Sequence, residues 1–116
     1  MDLPLLGLAL KYENFAEMRD WIRDPGRAVE IQDFVMPAAV MGDWQPQAAA
    51  WAKALDGHSG KIGIHGPFFG LDIANPDPEL RAVITKRLLQ GLQIAEAVNG
   101  THMVVHTHTI STDPNS

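Results

Sequence analysis

The chain contains no cysteine among its 116 residues. Disulfide bonds and thiolate zinc sites are therefore excluded, because both require cysteine sulfur. Basic residues are also few: 9 Lys and Arg stand against 14 Asp and Glu, which gives a formal charge of −5. Nucleic-acid binding depends on clustered Lys and Arg that contact phosphates, so this balance argues against nucleic acid as a partner.

Long apolar runs are missing as well. A membrane-spanning helix needs about 20 consecutive apolar residues, and the sequence offers no such stretch. Its apolar start, MDLPLLGLAL, has no basic region before it and is followed at once by Lys11. This pattern predicts a buried strand rather than a signal peptide. We therefore expect a cytoplasmic globular protein without a membrane partner.

Segments with the patterns of strands and helices alternate along the chain. Apolar and β-branched clusters predict four strands, at residues 4–10, 28–35, 61–65 and 102–108. Apolar residues at helical spacing predict a helix in each interval between these strands. The order βαβαβαβ requires a parallel sheet, because a helical crossover separates each strand from the next.

Two of the predicted helices begin with recognisable cap residues. Asn14, with Glu17 three residues later, matches a capping box. Asp77 matches an N-cap and is followed by proline, which is favoured in the first turn. Residues 36–43, between the second strand and the second helix, are predicted as a loop.

Two architectures agree with this order of elements. One is a flavodoxin-like open sheet, and the other is the amino-terminal half of a (β/α)8 TIM barrel. The half barrel is favoured, because no Gly-rich phosphate loop follows the first strand and polar side chains recur on one face of successive strands. A complete barrel takes about 250 residues. We therefore predict that residues 1–116 form a single partial domain, with the first four strands and three helices of a barrel.

The second predicted strand, AVEIQDFV, mixes apolar and polar residues in alternation. This alternation predicts two faces, with Val29, Ile31 and Val35 on one and Glu30, Gln32 and Phe34 on the other. A buried carboxylate is costly unless it is paired, solvated or bound to a ligand. Glu30 and Gln32 are therefore candidate site residues.

Two of the predicted strands finish on histidines. In KIGIHGPFFGLDIAN the third strand ends at His65, just before a Gly-Pro turn, and in HMVVHTHT the fourth strand carries His106 and His108. The carboxyl ends of parallel strands are where such folds place their chemistry. His106 and His108 differ by two positions and share one side of a strand. They can share a metal, or they can be one site residue and one solvated neighbour.

The segments EIQDF, IHGPFFGLDIANPDPELR and MVVHTH together resemble the sugar phosphate isomerase/epimerase family of the xylose isomerase-like TIM barrel superfamily. The apurinic endonuclease family belongs to the same superfamily. The resemblance runs over nearly the whole chain. It implies a divalent metal (Mn, Mg or Zn) at the barrel mouth, a sugar or sugar phosphate as the small-molecule partner, and proton transfer next to a carbonyl. A homo-oligomer is compatible with it.

Carried over residue by residue, the resemblance matches His65 and His106 to the histidines that end the third and fourth strands, and Glu30 to a polar site residue of the second strand. It implies His65 and His106 as metal ligands and Glu30 and His65 as catalytic residues. Beside it, the positions of Gln32, Phe68 and His108 in the sequence make them candidate substrate-binding residues. The superfamily takes its carboxylate ligands mainly from later strands than this chain contains. Many relatives also follow the fourth-strand histidine with Pro-Gly, whereas Thr107 and His108 stand here.

Each candidate also has a structural interpretation. His65 can bind the loop backbone and shape the turn, Glu30 can pair with a cation, and Phe68 can belong to a pocket wall. His58 and His102 precede strands, at the opposite end of the sheet, and are predicted to be solvated. The tryptophans are predicted to pack against the core.

The alternatives to an isomerase are an apurinic endonuclease-like, metal-dependent phosphodiesterase and a non-catalytic polyol-binding barrel. The 116-residue segment alone is expected to be inactive, because it lacks the late-strand carboxylates.

Overall fold

The computed structural model describes residues 6–106. The beginning of the predicted first strand and the position of His108 lie outside the described residues. Within them, strands and helices follow one another as β1 Leu8–Leu10, a 3-10 helix Tyr12–Asn14, α1 Phe15–Arg23, β2 Val29–Ile31, α2 Pro37–Met41, α3 Gln45–Ala54, β3 Ile62–His65, α4 Pro78–Ala97 and β4 His102–Val104.

The four strands form one parallel sheet in the order β1-β2-β3-β4. Glu30 in β2 pairs with Ala9 in β1 and with Gly63 in β3, and Gly63 pairs in turn with His102 in β4. The predicted α/β class, the strand order along the chain and the parallel pairing are confirmed. The strands are shorter than predicted, since β2 pairs only over Val29–Ile31.

The two faces of the sheet have different surroundings. Val29, Ile31 and Ile64 are fully buried. They belong to one hydrophobic cluster with residues of all four helices: Phe15, Ile22, Val40, Ala48, Trp51, Ile94 and Ala95. Because neighbouring residues of a strand point to opposite faces, the helices pack on the face of Val29. In the part of the chain that the structure describes, the face of Glu30 is left open.

The two predicted helix caps have different outcomes. The Asp77 carboxylate accepts a hydrogen bond from the Glu79 backbone N–H at 2.9 Å, so the cap of α4 is confirmed. The predicted capping box at Asn14 is wrong, because Asn14 has φ −99° and ψ −3° and makes no side-chain cap bond. The preceding 3-10 turn already places Asn14 in a helical conformation, whereas a cap residue needs extended backbone.

The segment after β2 differs from the prediction in two respects. Residues 37–41, predicted as loop, form the short helix α2, with Pro37 in its first turn and Val40 buried. Phe34, predicted to share a face with Glu30 and Gln32, is instead buried in the helix-side core. The chain leaves the sheet after Ile31, so the alternation of strand faces does not extend to Phe34.

Asp33, two residues after β2, connects the chain segments at this end of the sheet. Its carboxylate accepts the indole N–H of Trp51 at 2.6 Å and the backbone N–H of Tyr12 at 3.0 Å. Trp51 is 0% exposed, and the rings of Tyr12 and Phe15 pack on it edge-on at 5.4 Å. The predicted packing role of Trp51 is confirmed, and its hydrogen bond to Asp33 also fixes the start of the 3-10 turn.

Two glycines allow the Met103 side chain of β4 to pack closely against the turn after β3 and against α4. A side-chain carbon on Gly66 would come within 2.9 Å of the Met103 sulfur, and one on Gly91 within 2.8 Å of the same atom. Met103 in β4 therefore occupies the space that both glycines leave open. This packing seats α4 and the turn after β3 against β4.

We predict that Asp33→Ala lowers the free energy of unfolding by about 2 kcal/mol, because the buried Trp51 N–H loses its acceptor. Urea unfolding of the full-length protein, followed by tryptophan fluorescence, measures the change. Asp43→Ala is the matched control, since Asp43 is exposed in the loop before α3, and it should change the free energy by less than about 0.5 kcal/mol. Equal effects of the two substitutions would contradict the assigned role of Asp33.

Candidate active site

The open face of the sheet carries three of the six predicted site residues. Gly63 pairs with Glu30, so their side-chain directions agree, and His65 lies two residues beyond Gly63 on the same face. Gln32 follows the end of β2, and the hydrogen bond of 3.4 Å from its amide to the Glu30 carboxylate places it on the same face. Glu30, Gln32 and His65 therefore share this face, as the sequence predicts.

His65 ends β3 and is held by the turn that follows it. It is 7% exposed, and its Nδ1 lies 2.8 Å from the carbonyl oxygen of Gly66. A carbonyl oxygen only accepts hydrogen bonds, so Nδ1 carries the proton and donates it. In the neutral ring, Nε2 is therefore left with a lone pair.

The His106 ring lies against this lone pair of His65. Its Nε2 lies 2.8 Å from Nε2 of His65, and the two ring centroids are 4.7 Å apart. Because Nε2 of His65 accepts, Nε2 of the neutral His106 carries the shared proton. The pair of facing Nε2 atoms joins the carboxyl ends of β3 and β4.

The donor set suits a divalent metal in part. An imidazole metal ligand commonly donates its other ring N–H to a backbone carbonyl, as His65 does. Two imidazole nitrogens on one tetrahedral zinc are about 3.3 Å apart, so metal binding would require a small widening of the pair and a shift of the His106 proton from Nε2 to Nδ1. Among residues 6–106, no group of three or more His, Cys, Asp and Glu residues is placed to hold a metal ion. The pair thus supplies two ligands.

A wall of aromatic rings stands beside the histidine pair. The Phe68 ring stacks on His106, with centroids 4.3 Å apart and planes 11° apart. It also lies 4.9 Å from the His65 ring and stacks on Phe69 at 4.3 Å. The Gly-Pro turn after His65 thus brings Phe68 back over the ends of both strands.

Glu30 and Gln32 form a second polar pair on the chain of β2, in which Glu30 lies level with Gly63, two residues before His65. The Gln32 amide donates to a Glu30 carboxylate oxygen at 3.4 Å. Glu30 lines a cavity of about 350 Å³ together with His102 and the small residues Gly7 and Ala9. The structure thus brings His65, His106 and Phe68 into contact, and it places Glu30 beside His102.

Two histidines that were predicted to be solvated have defined surroundings. His102 is exposed, but its ring covers Gly63 on the open face, with Nδ1 2.9 Å from the Thr101 hydroxyl. His58 is half-buried, so its predicted solvation is wrong. Its Nε2 donates to the Arg27 carbonyl oxygen at 2.7 Å, while its buried Nδ1 has no partner among the described residues. His58, in the turn before β3, therefore lies against the backbone of Arg27, just before β2.

A cavity at the ends of β1 and β2 was not predicted from the sequence. It has a volume of about 530 Å³ and is lined by polar residues that include Lys11, Asp33 and Gln47. Lys11 directly follows β1, and Asp33 comes two residues after β2. The signal in the sequence was therefore the same as for His65: a polar residue at the carboxyl end of a strand.

No protein-family model matches the chain, and no curated protein matches it. Among solved structures, the chain is similar to the TTHB071 protein from Thermus thermophilus, described as soaked with ZnCl2, with a TM-score of 0.67 and 27% sequence identity. The similarity covers 95% of this chain and 43% of that chain. The chain therefore spans less than half of the length of this structural neighbour. No helix among residues 6–106 is long and apolar enough to cross a membrane.

We predict that neutral His65 is the Nδ1–H tautomer, whereas neutral His58 is the Nε2–H tautomer, because in each ring the protonated nitrogen faces a backbone carbonyl. Imidazole ¹⁵N chemical shifts of the labelled protein distinguish the two tautomers. His58 is the internal control for the assignment. An Nε2–H tautomer at His65 would contradict the proposed direction of the hydrogen bond between His65 and His106.

Proposed function

We propose that the chain is the amino-terminal half of a (β/α)8 barrel whose complete form is a metal-assisted isomerase or epimerase of sugars or sugar phosphates. The strand order supports the barrel. In a doubly wound open sheet the order reverses at a switch point and helices cover both faces. Here the order advances from β1 to β4 without reversal, and the helices share one hydrophobic cluster on one face.

Exposed apolar residues in and beside the first and last elements also support a larger fold. Leu89 and Leu92 of α4, the helix before β4, are 56% and 49% exposed, and Val105, directly after β4, is 40% exposed. Leu6, before β1, and Trp21 of α1, the helix after β1, are also exposed. A next strand and helix on each side would bury this surface and pair the open strand edges. The structural neighbour, of which the chain spans 43%, is long enough to contain such units.

One observation carries the proposed metal site, namely the facing Nε2 atoms of His65 and His106 at 2.8 Å. We propose that these two nitrogens bind a divalent metal (Mn, Mg or Zn). Zinc has support from outside the chain, since the neighbour was soaked with ZnCl2. Imidazole also suits zinc better than magnesium. A metal bound there would polarise a carbonyl or hydroxyl oxygen of the substrate. Further ligands would come from outside the described residues, where His108 is a candidate.

The two roles predicted for His65 compete for the same atom. Its Nδ1–H is engaged by the Gly66 carbonyl, so only Nε2 is available to bind a metal or to move a proton. We propose that His65 is a ligand and that Glu30 is the base. In the isomerisation, Glu30 would take a proton from the carbon next to the carbonyl and return it to the former carbonyl carbon, while the proton of the adjacent hydroxyl moves to the former carbonyl oxygen. Gln32 would orient the Glu30 carboxylate and bind substrate hydroxyls.

The metal site is tested by its effect on stability in the full-length protein. Zn²⁺ or Mn²⁺ at about 100 times its Kd should raise the free energy of unfolding by about 2.7 kcal/mol. His65→Ala and His106→Ala should each remove most of this gain, whereas Glu30→Gln should retain it. Thermal unfolding with and without metal measures the effect. An undiminished gain in both histidine variants would refute the site.

The reaction is tested by proton exchange. Ketoses, aldoses and their phosphates are incubated in D₂O with the metal-loaded full-length protein, and NMR follows deuterium incorporation next to the carbonyl. Glu30→Gln should lower the exchange rate at least about 100-fold, because the base is lost. Metal binding without exchange in any sugar would favour the non-catalytic polyol-binding alternative. Equal exchange in the wild type and Glu30→Gln would remove Glu30 from the mechanism.

We predict that residues 1–116 alone do not form a stable, active monomer. The edges of β1 and β4 are unpaired within the described sheet, and unpaired edges recruit other chains. Light scattering should find dimers or larger species, and urea unfolding should be broad. A monodisperse monomer that unfolds cooperatively and turns over sugar would refute the half-barrel proposal.

A further inference from the structure

His106 lies where the backbone alone does not fix its side chain. β4 ends at Val104, so His106 is two residues beyond the last paired residue, and it is exposed. Within the described residues its ring has two partners, the His65 ring and the Phe68 ring. An exposed imidazole without such partners rotates among several rotamers. The orientation of its Nε2 therefore depends on these two contacts.

Phe68, by contrast, is well anchored. Its backbone N–H donates to the Val35 carbonyl oxygen at 3.1 Å, and its own carbonyl accepts from Leu71 at 3.1 Å. Pro67, the residue before it, is fully buried. One residue earlier, the Gly66 N–H donates to the Val104 carbonyl oxygen at 2.8 Å. The turn is thereby fixed to the chain after β2 and to the end of β4.

We infer that Phe68 is a positioning residue, whose ring holds the His106 imidazole so that its Nε2 faces Nε2 of His65. The near-parallel stack, with planes 11° apart, restricts rotation of the imidazole. The inference rests on the proposed metal site and adds to the predicted contact of Phe68 with substrate. Because the His106 side chain is already ordered, metal binding loses less of its conformational entropy, and the affinity for the metal is higher.

The consequence is a change in metal affinity. Groups that orient a ligand without touching the metal typically change its affinity about 10- to 100-fold when they are removed. We expect Phe68→Leu to weaken Zn²⁺ binding about tenfold, because leucine keeps the apolar volume but lacks a flat ring. Phe68→Tyr should bind Zn²⁺ like the wild type, because it keeps the ring.

The test uses the full-length protein with Zn²⁺ and Co²⁺ as probes. Titration calorimetry gives the Zn²⁺ affinity, and the visible spectrum of bound Co²⁺ reports the ligand geometry, which a purely structural role of Phe68 would not change. Phe69→Leu is the matched control, since the Phe69 ring stacks on Phe68 and is 51% exposed. Phe68→Met replaces Phe68→Leu if the latter does not fold. Melting of each metal-free variant checks for general destabilisation.

Each outcome decides between defined alternatives. A tenfold weaker affinity and an altered Co²⁺ spectrum in Phe68→Leu, with Phe68→Tyr and Phe69→Leu like the wild type, support the inference. Wild-type affinity in Phe68→Leu overturns it, and so does a loss that Phe68→Tyr does not restore. If His65→Ala and His106→Ala also bind Zn²⁺ normally, the proposed metal site itself fails. If those two variants lose binding while Phe68→Leu does not, only the positioning role fails.

Discussion

Each crossover between neighbouring strands places its helix on the same side of the sheet. Right-handed crossovers have this effect whenever the strand order advances in a single direction, and here it runs from β1 to β4. The apolar residues Val29, Ile31 and Ile64 are therefore buried under the helices. The opposite face receives Glu30, Gln32 and His65, which need partners other than the helices. The division between core and candidate site follows from this one-sided arrangement.

The carboxyl ends of the strands are joined in pairs by polar side chains. After β2, the Asp33 carboxylate binds the Tyr12 backbone and the Trp51 indole, which fixes the chain that leaves β1. After β3, His65 binds the Gly66 carbonyl and the His106 ring, which joins the ends of β3 and β4. Water competes poorly for these hydrogen bonds, because Trp51 and His65 are buried. The bonds therefore help to keep the strand ends together.

Errors in the sequence-based prediction occurred where tertiary contacts override local patterns. Asn14 has the sequence of a cap, but the 3-10 turn held by Asp33 starts the helical region earlier. Phe34 continues the alternation of β2, yet the chain turns into the core after Ile31. His58 lies in a polar turn, but the fold places it against the Arg27 carbonyl. In each case the deciding partner is distant in sequence or lies beyond the regular element.

By itself, the sequence determined the α/β class, the parallel order, the Asp77 cap and the position of His65 at a strand end. Periodicity, turn residues and cap chemistry act over a few residues, so they can be read locally. Only the tertiary structure decided that His65 meets His106, 41 residues away, and that Trp51 binds Asp33, 18 residues away. It also decided which rings pack beside the histidines. Such contacts depend on strand register and loop conformation together, and no local pattern specifies how two distant loops meet.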